Sequence, residues 1–295
     1  RAKITRNHAR KARFDIKGFF ALLAMVAGGT SAIELATDTG LTTAVLVSAA
    51  LGLAGFFALF PTQKRAANPL FPPDLFAIPA VLKAALMSAF HGAAIVALVT
   101  IIPLFHAILR SDGALETAMS MLALTMTLGV SGFVTGNLVT KTGRTALFPS
   151  VSLLIAIATI LFLAFYGADL SRWALMAVYL TIGLSIGTVM SVVNIIVQQA
   201  APEHHRGRAA DAVTFFRSIG AVAGTSLSTS VLFLLAPIET GGGAGAILSA
   251  SVAIDPDAVQ SWRFAFAAGF GTIACYVVGT WTMALTTPSR RIDWQ

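Results

Sequence analysis

Charged residues are scarce in this 295-residue chain, of which they make up 11%, against roughly 25% in an ordinary water-soluble domain. Hydrophobic residues account for 56%, and the mean hydropathy is +0.81. So few polar side chains cannot cover a globule in water, which excludes the soluble classes of protein. The composition therefore predicts a protein whose solvent is a lipid bilayer.

Cysteine is also nearly absent. The one cysteine, Cys275, lies in an apolar segment, which excludes an internal disulfide and a cysteine-rich metal site. His204 and His205 are adjacent and lack the spacing of metal ligands. No loop of the form G-x-x-x-x-G-K-[ST] occurs, which argues against an intrinsic ATPase. We expect no metal and no cofactor.

Long apolar runs dominate the sequence instead. A membrane-spanning helix needs about 20 mostly apolar residues. Eight stretches meet that length, at 16–36, 42–60, 82–105, 115–138, 147–166, 173–198, 212–236 and 261–285. Their continuous, non-alternating apolar character favours helices over barrel strands. The predicted fold is all-α, a polytopic bundle of about eight transmembrane helices.

Lysine and arginine residues are distributed unevenly between the two sides of this bundle. Of the 20, all but Arg110, Arg172 and Arg263 fall on the side that carries both chain ends. The positive-inside rule makes that side cytoplasmic. We expect a multi-pass protein of the cell (inner) membrane. The net charge of +7 does not indicate nucleic acid, because the basic residues form short runs between apolar segments.

The expected organisation has five parts. They are a basic cytoplasmic segment (1–15), two extra transmembrane helices (16–60), a cytoplasmic loop (61–81), a six-helix unit (82–285) and a cytoplasmic tail (286–295). Asp15 is a candidate N-cap for the first helix, and Pro61 is expected to follow the second.

The loop after the fourth span resembles the G-x-x-x-D-R-x-G-R-R signature of the major facilitator superfamily. Gly136, Lys141, Gly143 and Arg144 match it, and Thr140 stands in place of the acidic residue. The two glycines would let the chain turn tightly between helices. The two cations either pair with a carboxylate or helix end or simply mark the cytoplasmic side.

Other segments occur in the order found in the fourteen-helix drug:proton antiporter branch (EmrB/QacA-like) of that superfamily, which they resemble. They are FDIKG at 14–18, NPLFPPDLF at 68–76, PEHHRGRA at 202–209 and FRSIGAVAG at 216–224. The resemblance implies a carboxy-terminal portion, with the amino-terminal transporter half missing. It further implies proton-coupled efflux of a small lipophilic substrate by alternating access. A periplasmic adaptor is a further candidate partner.

The same resemblance implies that the third, fourth, sixth and seventh spans face a transport cavity. Methionine and aromatic side chains repack around substrates of different shape. The candidate lining residues are Met87, Phe90, His91, Met121, Met126, Met190 and Asn194. His91 is either a satisfied core histidine or a cavity residue suited to proton exchange. Asn194 is either a gate or an interface residue.

Two further groups of residues have expected roles. Gating in the cytoplasmic loops is assigned to Gly136, Lys141, Gly143, Arg144, Arg206, Gly207 and Arg217. Close helix packing is assigned to Gly132, Gly220 and Gly224, which lie among small residues at four-residue spacing. The hydrolase-like G-x-S-x-G pattern at 183–187 lies within a span and is expected to be coincidental. Glu116 is a candidate helix cap, and Glu34 a candidate interface residue.

Two other functions remain as alternatives. An integral membrane enzyme would need a cluster of carboxylates or histidines at the membrane surface, whereas the acids here are scattered singly. A membrane subunit of another export system would be encoded beside a nucleotide-binding domain. Six further spans upstream, with an intact loop signature after the second of those spans, would favour the transporter. We expect that the protein is not an enzyme.

The predicted orientation can be tested with single cysteines in a Cys275→Ser background. Lys141→Cys and Arg206→Cys should react with a membrane-impermeant thiol reagent only from the cytoplasmic side. Arg172→Cys is the matched control and should react from outside. Reaction of positions 141 and 206 from the cell exterior would contradict the predicted topology.

Overall fold

The computed structural model describes residues 15–39, 42–66, 73–143, 147–236 and 256–287, and the regular elements in these ranges are all helices. Eight of them have the length and apolar composition to cross a membrane. In chain order the helices are α1 (Ile16–Thr39), α2 (Thr43–Arg65), a short α3 (Pro73–Phe76), α4 (Pro79–Leu109), α5 (Ala114–Thr142), α6 (Leu147–Tyr166), α7 (Arg172–Ala200), α8 (Arg206–Leu235) and α9 (Pro256–Thr286). The predicted all-α membrane bundle is confirmed.

Seven of the eight long helices are longer than the apolar stretches seen in the sequence, and α6 coincides with its stretch. α4 and α9 each contain 31 residues, which corresponds to about 46 Å at 1.5 Å per residue, against a hydrocarbon thickness of about 30 Å. Their ends therefore extend into the headgroup region. α2 also continues through Pro61 to Arg65, so the expectation that Pro61 follows the helix is wrong. A proline one turn before a helix end removes only one backbone hydrogen bond.

The helices alternate in direction, which gives the bundle two chemically different ends. Lys83 at the start of α4 donates a hydrogen bond to the Thr286 carbonyl at the end of α9. Asp15 and Gln63 meet at the same end, here called the basic end. Asp15 also accepts the Gly18 N–H at 2.9 Å, which confirms it as the N-cap of α1. The end that carries Arg110 is called the opposite end.

The core lies between α4, α7 and α9. Tyr179, Phe266 and Phe270 are among its largest fully buried side chains. Phe105 of α4 meets Phe266 and Phe270 of α9 edge to face, with ring centroids 5.6 and 5.7 Å apart. α4 and α7 are therefore the central helices of the bundle, and the other helices pack around them.

Glycines allow α8 to approach α4 closely. A Cβ atom added at Gly220 would collide with the backbone of Ala89, and one added at Gly224 with Ala93. On the other helix, a Cβ at Gly92 would collide with the backbone of Arg217. Close approach of this kind maximises van der Waals contact between helices in lipid.

α5 and α7 form a second close pair. Side chains at Gly183 and Gly187 of α7 would collide with the backbone of α5 near Leu124 and Leu128. Serine hydroxyls add hydrogen bonds across the pair: Ser131 donates to the Leu184 carbonyl and Ser191 to the Gly132 carbonyl, each at 2.5 Å. The G-x-S-x-G pattern therefore lies in a helix–helix contact.

α1 and α2 pack against each other and contact the remaining helices mainly through α8. Gly28 of α1 lies against Gly52 of α2, so that a Cβ atom added at Gly28 would collide with the Gly52 backbone. Ser226 of α8 donates a hydrogen bond to the Glu34 carboxylate of α1 at 3.1 Å. The pair is thus attached to one side of the other six long helices.

Replacing Gly220 by alanine should destabilise the protein. The new methyl group cannot fit against the Ala89 backbone unless α8 moves away from α4, and overpacking of this kind costs about 1–3 kcal/mol. The measurement is thermal unfolding in detergent.

Gly271→Ala is the matched control, because nothing lies within 4 Å of a Cβ at that position of α9. Alanine has the higher helix propensity, so this variant should be as stable as the parent or more stable. Equal destabilisation by both substitutions would show that the α4–α8 approach is not tight.

Candidate functional site

The candidate cavity residues on α4 point in different directions. Met87 and His91 are buried, with His91 only 2% exposed. Phe90 is partly exposed, and its ring covers Gly279 of α9. These three side chains therefore do not line a common surface.

The candidates on α5 and α7 are more open. Met126 is 62% exposed and Met190 is 40% exposed, while Met121 is half-buried against the core. Asn194 is exposed in the half of α7 nearer the basic end. The structure thus distributes the seven candidates between the core and open surfaces and does not bring them into one pocket.

A small apolar cleft lies between α4, α5 and α7, with a volume of about 110 Å³. It contains none of the seven candidates. Its lining residues are Ile95, Leu98, Val99, Leu124, Thr125, Leu128, Ile182, Gly183 and Ile186. The hydroxyl of Thr125 is already bonded to the Met121 carbonyl. The cleft therefore offers an apolar surface without free polar groups.

The loop residues assigned to gating lie mostly in helices. Gly136 is in the interior of α5 and faces Ser191 of α7, so its expected place in a tight turn is wrong. Gly143 does form that turn: it caps α5 with φ 68°, in the left-handed region that favours glycine. Lys141 is exposed in the last turn of α5. Arg144 lies outside the described residues.

Arg206 and Gly207 occupy the first turn of α8, because the preceding connection is only a short 3₁₀ turn at Glu203–His205. The expectation that they belong to a loop is therefore wrong. Both are exposed, and the Arg206 guanidinium lies 3.6 Å from the Glu203 carboxylate. Arg217 is farther along α8 and half-buried.

Exposed polar residues line the parts of α7 and α8 nearest the basic end. They are Asn194 and Gln198 on α7 and Asp211, Thr214 and Ser218 on α8, here called the α7–α8 polar face. Polar side chains exposed to lipid are costly. This face is therefore better suited to water or to other parts of a protein than to hydrocarbon.

Two polar groups beside that face have no hydrogen-bond partner among the described residues. Neither ring nitrogen of the buried His91 is bonded. The Arg217 guanidinium takes part in none of the described hydrogen bonds or ion pairs. The two residues are neighbours across the α4–α8 contact, where Gly92 touches Arg217. His91 is therefore neither a satisfied core histidine nor a residue of the open surface.

The opposite end contains a buried polar network. The His106 Nδ1 lies 2.7 Å from Asp112, and its Nε2 lies 3.1 Å from the Tyr179 hydroxyl. An ionised carboxylate only accepts, so for a neutral imidazole Nδ1–H donates to Asp112 and Nε2 accepts the Tyr179 O–H. Ser111, with φ 51°, folds the chain so that the Asp112 N–H reaches the His106 carbonyl.

Arg110 connects this network to the end of α6. Its Nε donates to Asp112 at 3.0 Å, and its Nη1 lies 2.9–3.3 Å from the carbonyls of Gly167, Ala168 and Leu170. Burial raises the pKa of Asp112, but the hydrogen bonds from His106 and Arg110 and the charge of Arg110 outweigh it. The pKa of Asp112 therefore lies below its ordinary value.

Each arginine of the opposite end is paired with a carboxylate. Arg110 pairs with Asp112, Arg172 with Glu116, and Arg263 with Asp169. Glu116 also accepts the Gly113 N–H, which confirms it as part of the α5 cap. The three cations that the sequence placed on this side are thus locally neutralised.

Sequence reasoning missed the hydrogen-bonded network of His106, Asp112 and Tyr179. Tyr179 is 67 positions from Asp112 and 73 from His106 in the sequence. It meets them only because α4 and α7 pack together. One signal was available: a histidine and a tyrosine inside apolar segments each need a polar partner. Of the residues that line the apolar cleft, sequence reasoning had singled out only Gly183, as part of the G-x-S-x-G pattern.

Comparison with known proteins identifies the family of this chain. A sequence profile described as Major Facilitator Superfamily matches residues 2–225. An uncharacterized MFS-type transporter of Mycobacterium tuberculosis is 33% identical over 218 residues, which cover 68% of this chain and 30% of that protein.

Two other relatives carry more specific names. A tetracycline resistance determinant of Streptomyces rimosus is 28% identical over 65% of this chain and 56% of its own length. The multidrug transporter protein MdtP of Bacillus subtilis is 25% identical over 74% of this chain and 41% of its own length. The chain thus spans between about a third and about half of the relatives it matches.

Replacing Asp112 by asparagine should destabilise the protein at neutral pH by about 1–3 kcal/mol, the usual cost of losing charge-assisted hydrogen bonds. Because the folded-state pKa of Asp112 is depressed, the carboxylate stabilises the fold above its unfolded-state pKa. That stabilisation is lost as the pH falls through the folded-state pKa. The difference between parent and variant should therefore shrink in acid, as measured by denaturant unfolding across pH.

Asp211→Asn is the control, since Asp211 is exposed and has no described partner. Its effect should be within about 0.5 kcal/mol at any pH. A pH-independent cost for Asp112→Asn would contradict the role given to its charge.

Proposed function

Since the chain belongs to the major facilitator superfamily of membrane transporters, we propose that it is the carboxy-terminal part of a fourteen-helix, proton-coupled exporter of lipophilic small molecules. The transporter works by alternating access, with this part rocking against an amino-terminal half of six helices. A small lipophilic molecule and protons are its substrates.

The arrangement of the helices supports this assignment. α4 to α9 provide six long helices in one bundle, and α1 and α2 form a separate pair that touches the bundle mainly through α8. A six-helix half preceded by two extra helices is the organisation that the fourteen-helix branch requires. The names of two relatives, a multidrug transporter and a tetracycline resistance determinant, support drug-like small molecules as the substrates.

The charge distribution supports an orientation with the basic end in the cytoplasm, and the membrane of this proposal is the cell (inner) membrane. Lys17, Lys64, Lys83 and Lys141 at that end form no described ion pair. The arginines of the opposite end are neutralised by carboxylates. The effective asymmetry is therefore larger than the residue count indicates.

The substrate route follows from two surfaces. The apolar cleft between α4, α5 and α7 contributes an uncharged wall, and two of the same helices, α5 and α7, expose the methionines Met126 and Met190 outside the cleft. The α7–α8 polar face lines the route towards the basic end. Apolar walls with a few polar groups are typical of small-molecule sites, and this combination is the observation that carries the proposal of lipophilic substrates.

The test uses the complete transporter in vesicles whose lumen corresponds to the cell exterior. A fluorescent lipophilic dye should accumulate in the lumen when the lumen is acidic, and accumulation should stop when an electroneutral proton/potassium exchanger collapses the pH gradient. A potassium ionophore that removes only the membrane potential serves as the control. Accumulation that survives collapse of the pH gradient would refute proton coupling, and absence of uptake for every lipophilic dye would refute the proposed function.

A further inference from the structure

Arg217 carries a charge inside a membrane span without a described counter-charge. It lies eleven residues after the start of α8 at Arg206, which is roughly 16 Å along the helix. The side chain is half-buried, and no described carboxylate or carbonyl accepts a hydrogen bond from it. An intramembrane charge is costly, and where it occurs it commonly serves a functional site.

His91 places a second unsatisfied group beside it. This side chain is 2% exposed, and both ring nitrogens lack a partner. It is fixed next to Arg217 because Ser88 bonds to the Val213 carbonyl at 3.0 Å and Gly92 lies against the Arg217 backbone. A buried imidazole normally has at least one hydrogen bond, so two vacant nitrogens indicate a missing ligand atom.

The charged groups on the surrounding helices do not supply that ligand. On α8, Asp211 is exposed and Arg206 pairs with Glu203. On α1, Glu34 accepts a hydrogen bond from Ser226, nine residues beyond Arg217.

The other cations on the packed helices are also distant. Lys83 on α4 bonds to the end of α9, and His106 belongs to the opposite-end network. Arg172 on α7 and Arg263 on α9 are paired at the opposite end. The surroundings of Arg217 and His91 in the described part of the chain are therefore electropositive and lack an anion.

We propose that Arg217 and His91 form the binding site for the carboxylate group of a lipophilic, singly charged acid. The guanidinium offers parallel N–H donors to both carboxylate oxygens, which is the geometry that arginine favours. The neutral imidazole donates one further N–H to the same group. The apolar remainder of the substrate then lies along apolar side chains of the surrounding helices.

The charge balance selects this substrate class. One arginine neutralises one negative charge, so a monoanion enters a low-dielectric site at lower cost than a dianion such as phosphate. A lipophilic cation would be repelled by Arg217 at close range. The inference rests on the proposed function, because it names the substrate class of the proposed exporter.

The α7–α8 polar face adjoins Arg217 along α8. Thr214 and Ser218 are exposed on α8, one turn before Arg217 and immediately after it. Their hydroxyls bond to carbonyls of their own helix, at Ala210 and Thr214 respectively. They therefore leave the Arg217 donors available while lining a polar approach from the basic end.

The test compares a fluorescent aromatic carboxylic acid with its methyl ester in vesicles containing the complete transporter. Arg217→Gln should raise the KM for the acid about tenfold or more, the effect expected for a lost charge-assisted hydrogen bond. The KM for the ester should stay unchanged. Arg217→Lys keeps the charge but loses the paired donors, so its KM for the acid should lie between those of the parent and Arg217→Gln. His91→Leu should weaken binding of the acid by a smaller factor.

Arg208→Gln is the matched control, because Arg208 is an exposed arginine in the first turn of α8. It should change neither KM. A thermal-shift measurement adds a readout that does not need transport: the acid should stabilise the parent more than the ester does, and this difference should vanish in Arg217→Gln.

Equal effects of Arg217→Gln on acid and ester, or no effect on either, would overturn the anion site while leaving the exporter intact. If Arg217 instead pairs with a carboxylate from another part of the transporter, Arg217→Gln should misfold. Arg217→Lys should then fold without any preference between acid and ester, and that result also overturns the proposal. A parent protein that transports neither compound but accumulates another lipophilic dye would also overturn the anion site, while failure with every lipophilic compound would refute the proposed function itself.

Discussion

A polar group that enters the bilayer must find its hydrogen-bond partner within the protein, because hydrocarbon offers none. Most of the polar side chains in these helices obey this requirement. Ser131 and Ser191 bond to carbonyls across the α5–α7 contact. Tyr179 and His106 satisfy each other and are joined to Asp112. The exceptions among the described residues include the two ring nitrogens of His91, the Arg217 guanidinium and the buried Thr225 hydroxyl. The first two residues are neighbours, and the proposed ligand site is built on them.

The same requirement explains what sequence reasoning could and could not predict. The existence of eight spans, the cap at Asp15 and the left-handed turn at Gly143 follow from local composition and spacing. The network around His106 depends instead on how α4 meets α7, and no local pattern encodes that meeting. Gly136 shows the limit of motif reasoning, because a glycine from a loop signature lies inside α5 and contacts α7.

Candidate site residues were harder to predict than the fold. Methionine and phenylalanine in an apolar span can face lipid, the core or a cavity, since all three are chemically alike. Met87 and Met126 illustrate this, with the first fully buried and the second largely exposed. Charged residues in the membrane are more informative, because few surroundings tolerate them. Arg217 could be singled out from its position in the sequence, but its lack of a counter-charge required coordinates.

The contacts between α4 and α8 repeat at four-residue intervals on both helices. Ser88 and Gly92 meet Val213 and Arg217, while Ala89 and Ala93 meet Gly220 and Gly224. Two parallel helices interlocked at successive turns cannot slide by a fraction of a turn without steric collision. Because His91 precedes Gly92 on α4, and Gly92 lies against the Arg217 backbone, the two residues keep their relative position for as long as the two helices stay interlocked.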